Sequence, residues 1–342
     1  MDRPAQIRDV AIAAGVSITT VSHALNGKGR LTDETRQRVR EAADRLGYKP
    51  SPLARGLAGG LTGMLALTVS TVEDLPFNMG DYDYFMQLMN GATSAAFERG
   101  FSLILVPTTS RRKVLAQLPL DGAIVIDPIP GDEMVDLLDE RGVPVVTTGR
   151  LPGGPEDGWW VDNDHVAGTR AMIEHLAAEG ATRVALLTGP PAQSYTIDAI
   201  DSFESTTAEL SLESVIETVT DSLSESGAYA AASRLLDSRR PPDAIYATLD
   251  RLALGALLAA EAKGVRVPDA LRVAGCTDSQ AARSSRPRLT ALSLDPERIG
   301  TEAVDLLVSL VEKQPPAELH RIVPFTVIPR ASTHAALTAT IS

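Results

Sequence analysis

From Gly63 onward, short apolar runs alternate with helical stretches, and this rhythm restricts the fold more than any other feature of the chain. The runs are "MLALTVS", "SLILVPT", "GAIVID", "PVVTTG", "RVALLTG", "VIETVT", "AIYATL" and "RVAGCT". They are continuous and rich in β-branched residues, the pattern of parallel strands covered on both faces. The segments between them, such as "AMIEHLAAEG" and "LALGALLAAEAKG", carry apolar residues at helical spacing. A doubly wound α/β body is therefore expected. With 342 residues, 44% of them apolar, the chain is too long for one ordinary core, so a small domain plus two lobes is the expected division. Open α/β sheets bind ligands beyond the carboxyl ends of their strands, which makes the segments after Ser70, Asp127, Gly189, Leu249 and Thr277 the cleft candidates.

Composition removes several classes of function. One cysteine, Cys276, allows neither an intrachain disulfide framework nor a cysteine-rich metal site, and it fits a reducing compartment. "MDRPAQIRDVAIAAG" has no apolar core of a signal peptide, and no apolar run approaches the roughly 18 residues of a membrane span. A cytoplasmic protein with no membrane partner is expected. The net charge of −12 is unevenly spread: residues 1–62 hold ten basic and six acidic side chains, the remainder 22 and 38. A basic head on an acidic body suits a polyanionic partner at the head alone.

The head reads as three helices. "IRDVAIAAG" places Ile7, Val10, Ala11 and Ala14 on one face, with Gly15 at the C-terminal cap position. Ser17 can cap a second helix in which Val21 and Leu25 face inward while Thr19, Ser22 and His23 share another face. Thr32, Asp33 and Glu34 open a third helix, stopped by Gly47 and Pro50. Two short helices joined through "GVS" form a helix-turn-helix, whose second helix enters the major groove. Short Thr and Ser side chains there reach phosphates, base edges or the thymine methyl, and Thr19, Thr20 and His23 are placed to do so.

The stretch "IRDVAIAAGVSITTVSHALNGKGRLTDETRQRVREAADRLGYKPSPLARGL" resembles the N-terminal domain of the LacI/GalR family of bacterial transcription regulators, and "TTVSH" is closer to its purine-repressor branch than to its lactose-repressor branch. The resemblance implies that Ile18, Thr19 and His23 contact bases, that Thr20, Ser22 and Asn26 lie near phosphates, and that Arg30 approaches DNA from a loop. Ser17 joins them as a DNA-facing residue. It further implies that "PLARGL" is a hinge helix, with Ala54 and Arg55 beside the minor groove and Leu57 as the wedge that opens a central base step. Gly56, Gly59 and Gly60 weaken any helix there, so a flexible tether is the alternative, and a segment ordered only on DNA is the compromise.

By the same resemblance the body consists of two periplasmic-binding-protein-like lobes joined by three crossovers. The expected divisions are 5–50 for the helix-turn-helix, 51–62 for the hinge, 63–161 plus 291–321 for the first lobe, 162–290 plus 322–331 for the second, and 332–342 for a tail. "VDNDHVAGTRAMIEHLAAEGATRVALLTGP", "LPLDGAIVI" and "LDRLALGALLAAEAKGVRVPDALRVAG" carry the likeness through the body. It breaks at residues that relatives use to hold a sugar or purine. Ala199 stands for an arginine, Leu249 for an asparagine and Thr277 for an aspartate, and Tyr195 marks the start of the altered run. Each buried hydrogen bond left unmade costs about 1–3 kcal/mol, so simple sugars should bind poorly.

The stretch "TVEDLPFNMGDYDYFMQL" instead brings Phe77, Tyr82, Tyr84 and Phe85 together with Asp81 and Asp83. Such a loop can hold a cationic or amphipathic ligand by stacking and charge, or simply close a core. Three readings stay open: a non-sugar effector held by Tyr82, Tyr84, Phe85, Tyr195, Ala199, Leu249 and Thr277, a cleft without small-molecule control, or a sugar-responsive repressor with a rearranged site; a two-lobe small-molecule binding protein is the remote alternative. Trp159 and Trp160 are expected to pack at the lobe junction. His165 and His175 match no metal spacing or nucleophile constellation, so neither an enzyme, nor a cofactor, nor a metal site is expected. "VIPRASTHAALTATIS" has no leucine heptads. The expectation is thus a homodimeric repressor whose partners are operator DNA, a second copy of itself and an unidentified effector.

Overall fold

The computed structural model describes residues 5–25, 31–48, 61–70, 83–106, 111–220 and 223–334. Its head contains α1 (Ile7–Ala14), α2 (Ile18–Leu25) and α3 (Asp33–Arg45), packed around Val10, Ala11, Ala14, Val21, Ala24, Val39, Ala42 and Ala43. Gly15 closes α1 in the left-handed conformation (φ 66°), and the chain turns at once into α2. Thr32 caps α3 by accepting from the Thr35 N–H at 3.3 Å, with Asp33 and Glu34 in the first turn, where the helix dipole favours acids. Arg38 of α3 donates from Nε to the Ala14 carbonyl at 3.2 Å, which satisfies an end of α1 from across the bundle.

The body builds two six-stranded sheets. In chain order its elements are β1 (Met64–Val69), α4 (Asp83–Glu98), β2 (Ser102–Leu105), α5 (Arg111–Gln117), β3 (Gly122–Ile126), α6 (Glu133–Glu140), β4 (Val145–Thr148), β5 (Trp160–Asn163), α7 (His165–Ala178), β6 (Arg183–Thr188), α8 (Ser194–Glu209), β7 (Glu213–Thr218), α9 (Glu225–Asp237), β8 (Ala244–Ala247), α10 (Asp250–Ala262), β9 (Arg272–Cys276), α11 (Gln280–Ser284), β10 (Thr290–Ser293), α12 (Pro296–Val311), β11 (His320–Val323) and β12 (Thr326–Ile328). The first sheet runs β11-β5-β4-β3-β1-β2 and the second β12-β10-β9-β8-β6-β7. Only β12 is antiparallel to its neighbour among the pairings β10–β12, β9–β10 and β8–β9.

Both faces of the second sheet are buried, as the unbroken apolar runs require. Val184 and Leu186 of β6 point toward α7 and α8, where Met172, Ile173, Leu176 and Phe203 receive them. Ala185 and Leu187 point the other way, against alanine- and leucine-lined faces of α9 and α10. In the first lobe Leu65, Leu67, Ile124 and Ile126 pack beneath α4 and α12. Those two helices cross at van der Waals distance: a Cβ on Gly91 would stand 1.9 Å from the Glu297 carbonyl oxygen, and one on Gly300 2.1 Å from that of Leu88.

The chain passes between lobes at three places, after β5, after β10 and after β11. Asn163, buried at the first, donates from Nδ2 to the Leu294 carbonyl at the second (2.9 Å) and to the Val323 carbonyl at the third (2.8 Å). The crossings therefore fall about two residues later than the divisions at 161, 290 and 321, because β5, β10 and β11 each complete their pairing before leaving their sheets. The second lobe also extends past 331. Ser332 donates to the Val273 carbonyl at 2.6 Å and Thr333 shares a hydrogen bond with Thr290 at 2.7 Å, and both residues are buried. Trp159 and Trp160 pack within the first lobe, Trp159 against its core and Trp160 stacked on His320 at 4.3 Å.

Gly300→Ala gains about 1 kcal/mol of helix propensity yet places a methyl group inside a neighbouring backbone. The net expectation is a loss of roughly 1–3 kcal/mol in urea unfolding. An unchanged midpoint would show that the two helices can part without cost.

Candidate functional site: nucleic-acid interface and charged cleft

On α2 the first turn is organised by hydroxyls. Ser17 accepts from the Thr20 N–H at 3.0 Å, and the two side-chain oxygens lie 2.8 Å apart in a second hydrogen bond. This spends Ser17 and Thr20 on the helix start and leaves Ile18, Thr19 and His23 exposed on its outer face, with Ser22 half-buried beside them. Opposite them Val21 and Ala24 are sealed into the head core. The outer face carries no acid, so it presents short donors, acceptors and methyl groups to a polyanion without repulsion. Asn26, Arg30, Ala54, Arg55 and Leu57 lie outside the described residues.

In the body the carboxyl ends of three neighbouring strands converge. Asp127 follows β3, Gly149 follows β4 and Asp162 lies in β5. Lobe two contributes His165 from the start of α7 and Ser194 and Tyr195 from the start of α8. Around the position that a Cβ on Gly149 would occupy stand Ser194 Oγ at 3.1 Å, Asp162 Oδ2 at 3.7 Å and Asp127 Oδ1 at 3.8 Å. Gly149 itself has φ 87°, a conformation that also favours glycine. His165 Nε2 lies 3.1 Å from Asp162 Oδ1, and its ring is 5.9 Å from that of Tyr195. Two further polar bridges span the lobes: Arg150 pairs with Asp198, and the Gln280 N–H donates to Asp83 Oδ2 at 2.6 Å. Tyr84 packs against the cores of both lobes.

Charge is concentrated here. Loss of water and then the neighbouring Asp162 push the Asp127 carboxyl up to about 7, against a pull downward from His165. Burial opposes a charge on His165, but Asp162, Asp127 and Asp198 outweigh it and raise its pKa. The Tyr84 hydroxyl is pushed up as well, by burial and then by both aspartates. Deeper in lobe two, burial raises Asp250 to about 6 although Ser279 N–H (2.5 Å) and Thr277 Oγ1 (3.1 Å) both donate to its Oδ2.

Similarity to known proteins agrees with both halves of this arrangement. Residues 6–51 match the model of bacterial regulatory proteins of the lacI family, and residues 173–333 match the periplasmic binding protein-like domain. The HTH-type transcriptional regulator CelR of Thermobifida fusca is 31% identical over 313 residues, covering 88% of this chain and 90% of that protein. This chain belongs to the lacI family. The HTH-type transcriptional repressor PurR of Mannheimia succiniciproducens is 30% identical over 312 residues, covering 89% and 91% of the two chains. Among solved structures, a CelR–cellobiose complex superposes with TM-score 0.72 at 27% identity, covering 96% of this chain and 99% of that one. A lac repressor dimer bound to operator and anti-inducer shares the fold, with TM-score 0.78 at 23% identity over 97% and 99% of the chains. As a lacI-family member the chain is a DNA-binding transcriptional regulator and not an enzyme.

For a lacI-family cleft, the residues singled out from sequence scatter. Ala199 is 3% exposed, and Leu249 packs against the α9–α10 core. Thr277, with φ 107°, turns its hydroxyl to Asp250. Phe85 is buried in the first-lobe core and meets Tyr84 edge to face at 5.4 Å. Tyr84 and Tyr195 do border the charged cluster. Tyr82, Phe77 and Asp81 lie outside the described residues. Asp127, Asp162, His165, Ser194 and Arg150, which no local sequence pattern marks, are the polar residues that the fold brings to the cleft. The one usable signal was Asp127 at the carboxyl end of a strand.

A carboxyl raised on folding binds its proton more tightly in the folded chain, so stability falls as pH climbs from the ordinary 3.8 through about 7. His165 acts in the same direction, since a raised base loses its contribution as pH rises through its folded pKa. Asp127→Asn should therefore be more stable than the parent near pH 8, by at least about 1 kcal/mol, with the gap closing toward pH 4. A gap that does not vary with pH in paired urea melts would contradict the assigned charge cluster.

Proposed function

We propose that this regulator is a homodimeric repressor that acts in the cytoplasm on a pseudo-palindromic operator and answers to an effector other than a simple sugar. The observation that carries the reading is the outer face of α2, where Ile18, Thr19 and His23 stand exposed over a helix held by Val21 and Ala24. An isolated head of this size covers one half-site, and two-fold pairing supplies the second. Support for pairing comes from apolar side chains that the single chain leaves uncovered on α4, Met86 and Phe97, eleven residues and three helical turns apart. Phe97 is 81% exposed. In this reading Asn26 and Arg30 add backbone contacts, and Ala54, Arg55 and Leu57 enter the minor groove.

The effector half of the proposal is supported by the cleft chemistry. Where a hydroxylated ligand needs paired donors and acceptors, Ala199 and Leu249 offer none and the Thr277 hydroxyl is already spent. Site selection with the full-length chain and random DNA tests the operator assignment. His23→Ala or Thr19→Ala should relax preference at one base pair in each half-site by about 1–3 kcal/mol. An identical sequence logo for parent and variants would reject the base-contact roles.

A further inference from the structure

We propose that Arg330 is a positioning residue for the contact between the lobes. By pairing with Asp278 it fixes the backbone of residues 277–279, and with it the direction in which the Gln280 N–H leaves lobe two to meet Asp83 of lobe one. The segment that follows β12 thereby sets a contact made by a different part of lobe two.

The backbone here takes a shape that its own residues disfavour. Thr277 has φ 107° and Asp278 φ 56°, positive values at two successive positions without glycine, the first of them at a β-branched residue. Two sets of side chains hold that shape. In one, Asp250 Oδ2 accepts from Thr277 Oγ1 at 3.1 Å and from the Ser279 N–H at 2.5 Å. In the other, the buried Asp278 carboxylate meets two arginines: Arg330 Nη1 lies 2.7 Å from Oδ1, and Arg283 Nε donates to Oδ2 at 3.1 Å. Directly afterwards Ser279 caps α11 by accepting from the Ala282 N–H at 3.2 Å. The first N–H groups of a helix have no partner within it, and Gln280 donates its own to Asp83 Oδ2 at 2.6 Å.

The two arginines are not equivalent. The Arg283 side chain is 49% exposed and extends from α11 itself, so water screens its pair and the pair moves with the element it joins. The Arg330 side chain is 16% exposed and belongs to a segment anchored elsewhere. Its Nη1 also donates to the Leu289 carbonyl at 2.8 Å and its backbone N–H to Thr290 Oγ1 at 2.7 Å, which fastens it to the start of β10. Arg330 is thus a fixed cation against which Asp278 is set. Removing one member of a buried pair leaves the other charge without compensation. Relaxation of residues 277–279 follows, and because Gln280 is only two residues from Asp278, it turns the N–H away from Asp83.

The test is hydrogen exchange of the full-length protein, read by NMR at the Gln280 amide and, as a reference for the stability of lobe two, at the Leu186 amide of β6. Arg330→Met keeps a long side chain without its charge, and it should speed exchange at Gln280 by about tenfold or more while Leu186 stays as in the parent. Arg330→Lys should restore most of the protection, since a cation again faces Asp278. Arg283→Met should change exchange at Gln280 by less than about threefold. With Asp83→Ala already in place, Arg330→Met should add nothing at Gln280, because the acceptor is gone. If Arg330→Met does not melt cooperatively, Asp278→Asn takes its place, since asparagine tolerates the positive φ and lacks the charge, and the same acceleration is expected. Parent-like exchange at Gln280 in the folded variant, acceleration of Gln280 and Leu186 in equal measure, or an undiminished effect in the Asp83→Ala background would overturn the proposal.

Discussion

One buried amide holds the body in register. Asn163, buried, ties the second and third interlobe connections to the first through two hydrogen bonds of 2.9 and 2.8 Å. Losing a buried partner of this kind costs about 1–3 kcal/mol for each group left unpaired. More important is what the amide positions. Asp162 immediately precedes it and Asp164 immediately follows, capping α7 through the Ala167 N–H at 2.8 Å. The same few residues thus fasten the crossovers, start the first helix of lobe two and aim a carboxylate into the cleft.

The cleft is built against its own stability. Two carboxylates are brought to one point beside a residue that has no side chain, and burial makes their mutual repulsion stronger than it would be in water. Arg150 with Asp198, and His165 with Asp162, offset part of that cost and also bind lobe to lobe or strand to helix. The remaining imbalance is met by a proton, which the Asp127 carboxyl holds up to about 7.

Much of this architecture is legible in the residues. The eight unbroken apolar runs correspond to β1, β2, β3, β4, β6, β7, β8 and β9, and Gly15, Ser17 and Thr32 stand at the helix ends that their chemistry favours. The strands that escaped notice are β5, β10, β11 and β12. "WVDN" and "HRIV" carry charged or ring side chains and are only four residues long, and each becomes a strand through a partner far away in the chain. The cleft was harder to read for a related reason. Ala199, Leu249 and Thr277 stand at single positions of the sequence, but the polar residues that converge in the cleft come from four separate segments. Asp127, Gly149, Asp162, His165 and Ser194 meet only once the sheets are stacked. Substitution at an expected position is visible locally, whereas a new convergence needs the fold.

The charge coupling between Asp127 and Asp162 is measured most directly by carbon-13 carboxyl NMR of aspartate-labelled protein, with the Asp127 resonance assigned by its absence in Asp127→Asn. Asp127 should titrate near 7 in the parent and shift downward when Asp162→Asn removes the neighbouring charge. A midpoint in the ordinary carboxylate range, unmoved by Asp162→Asn, would contradict it.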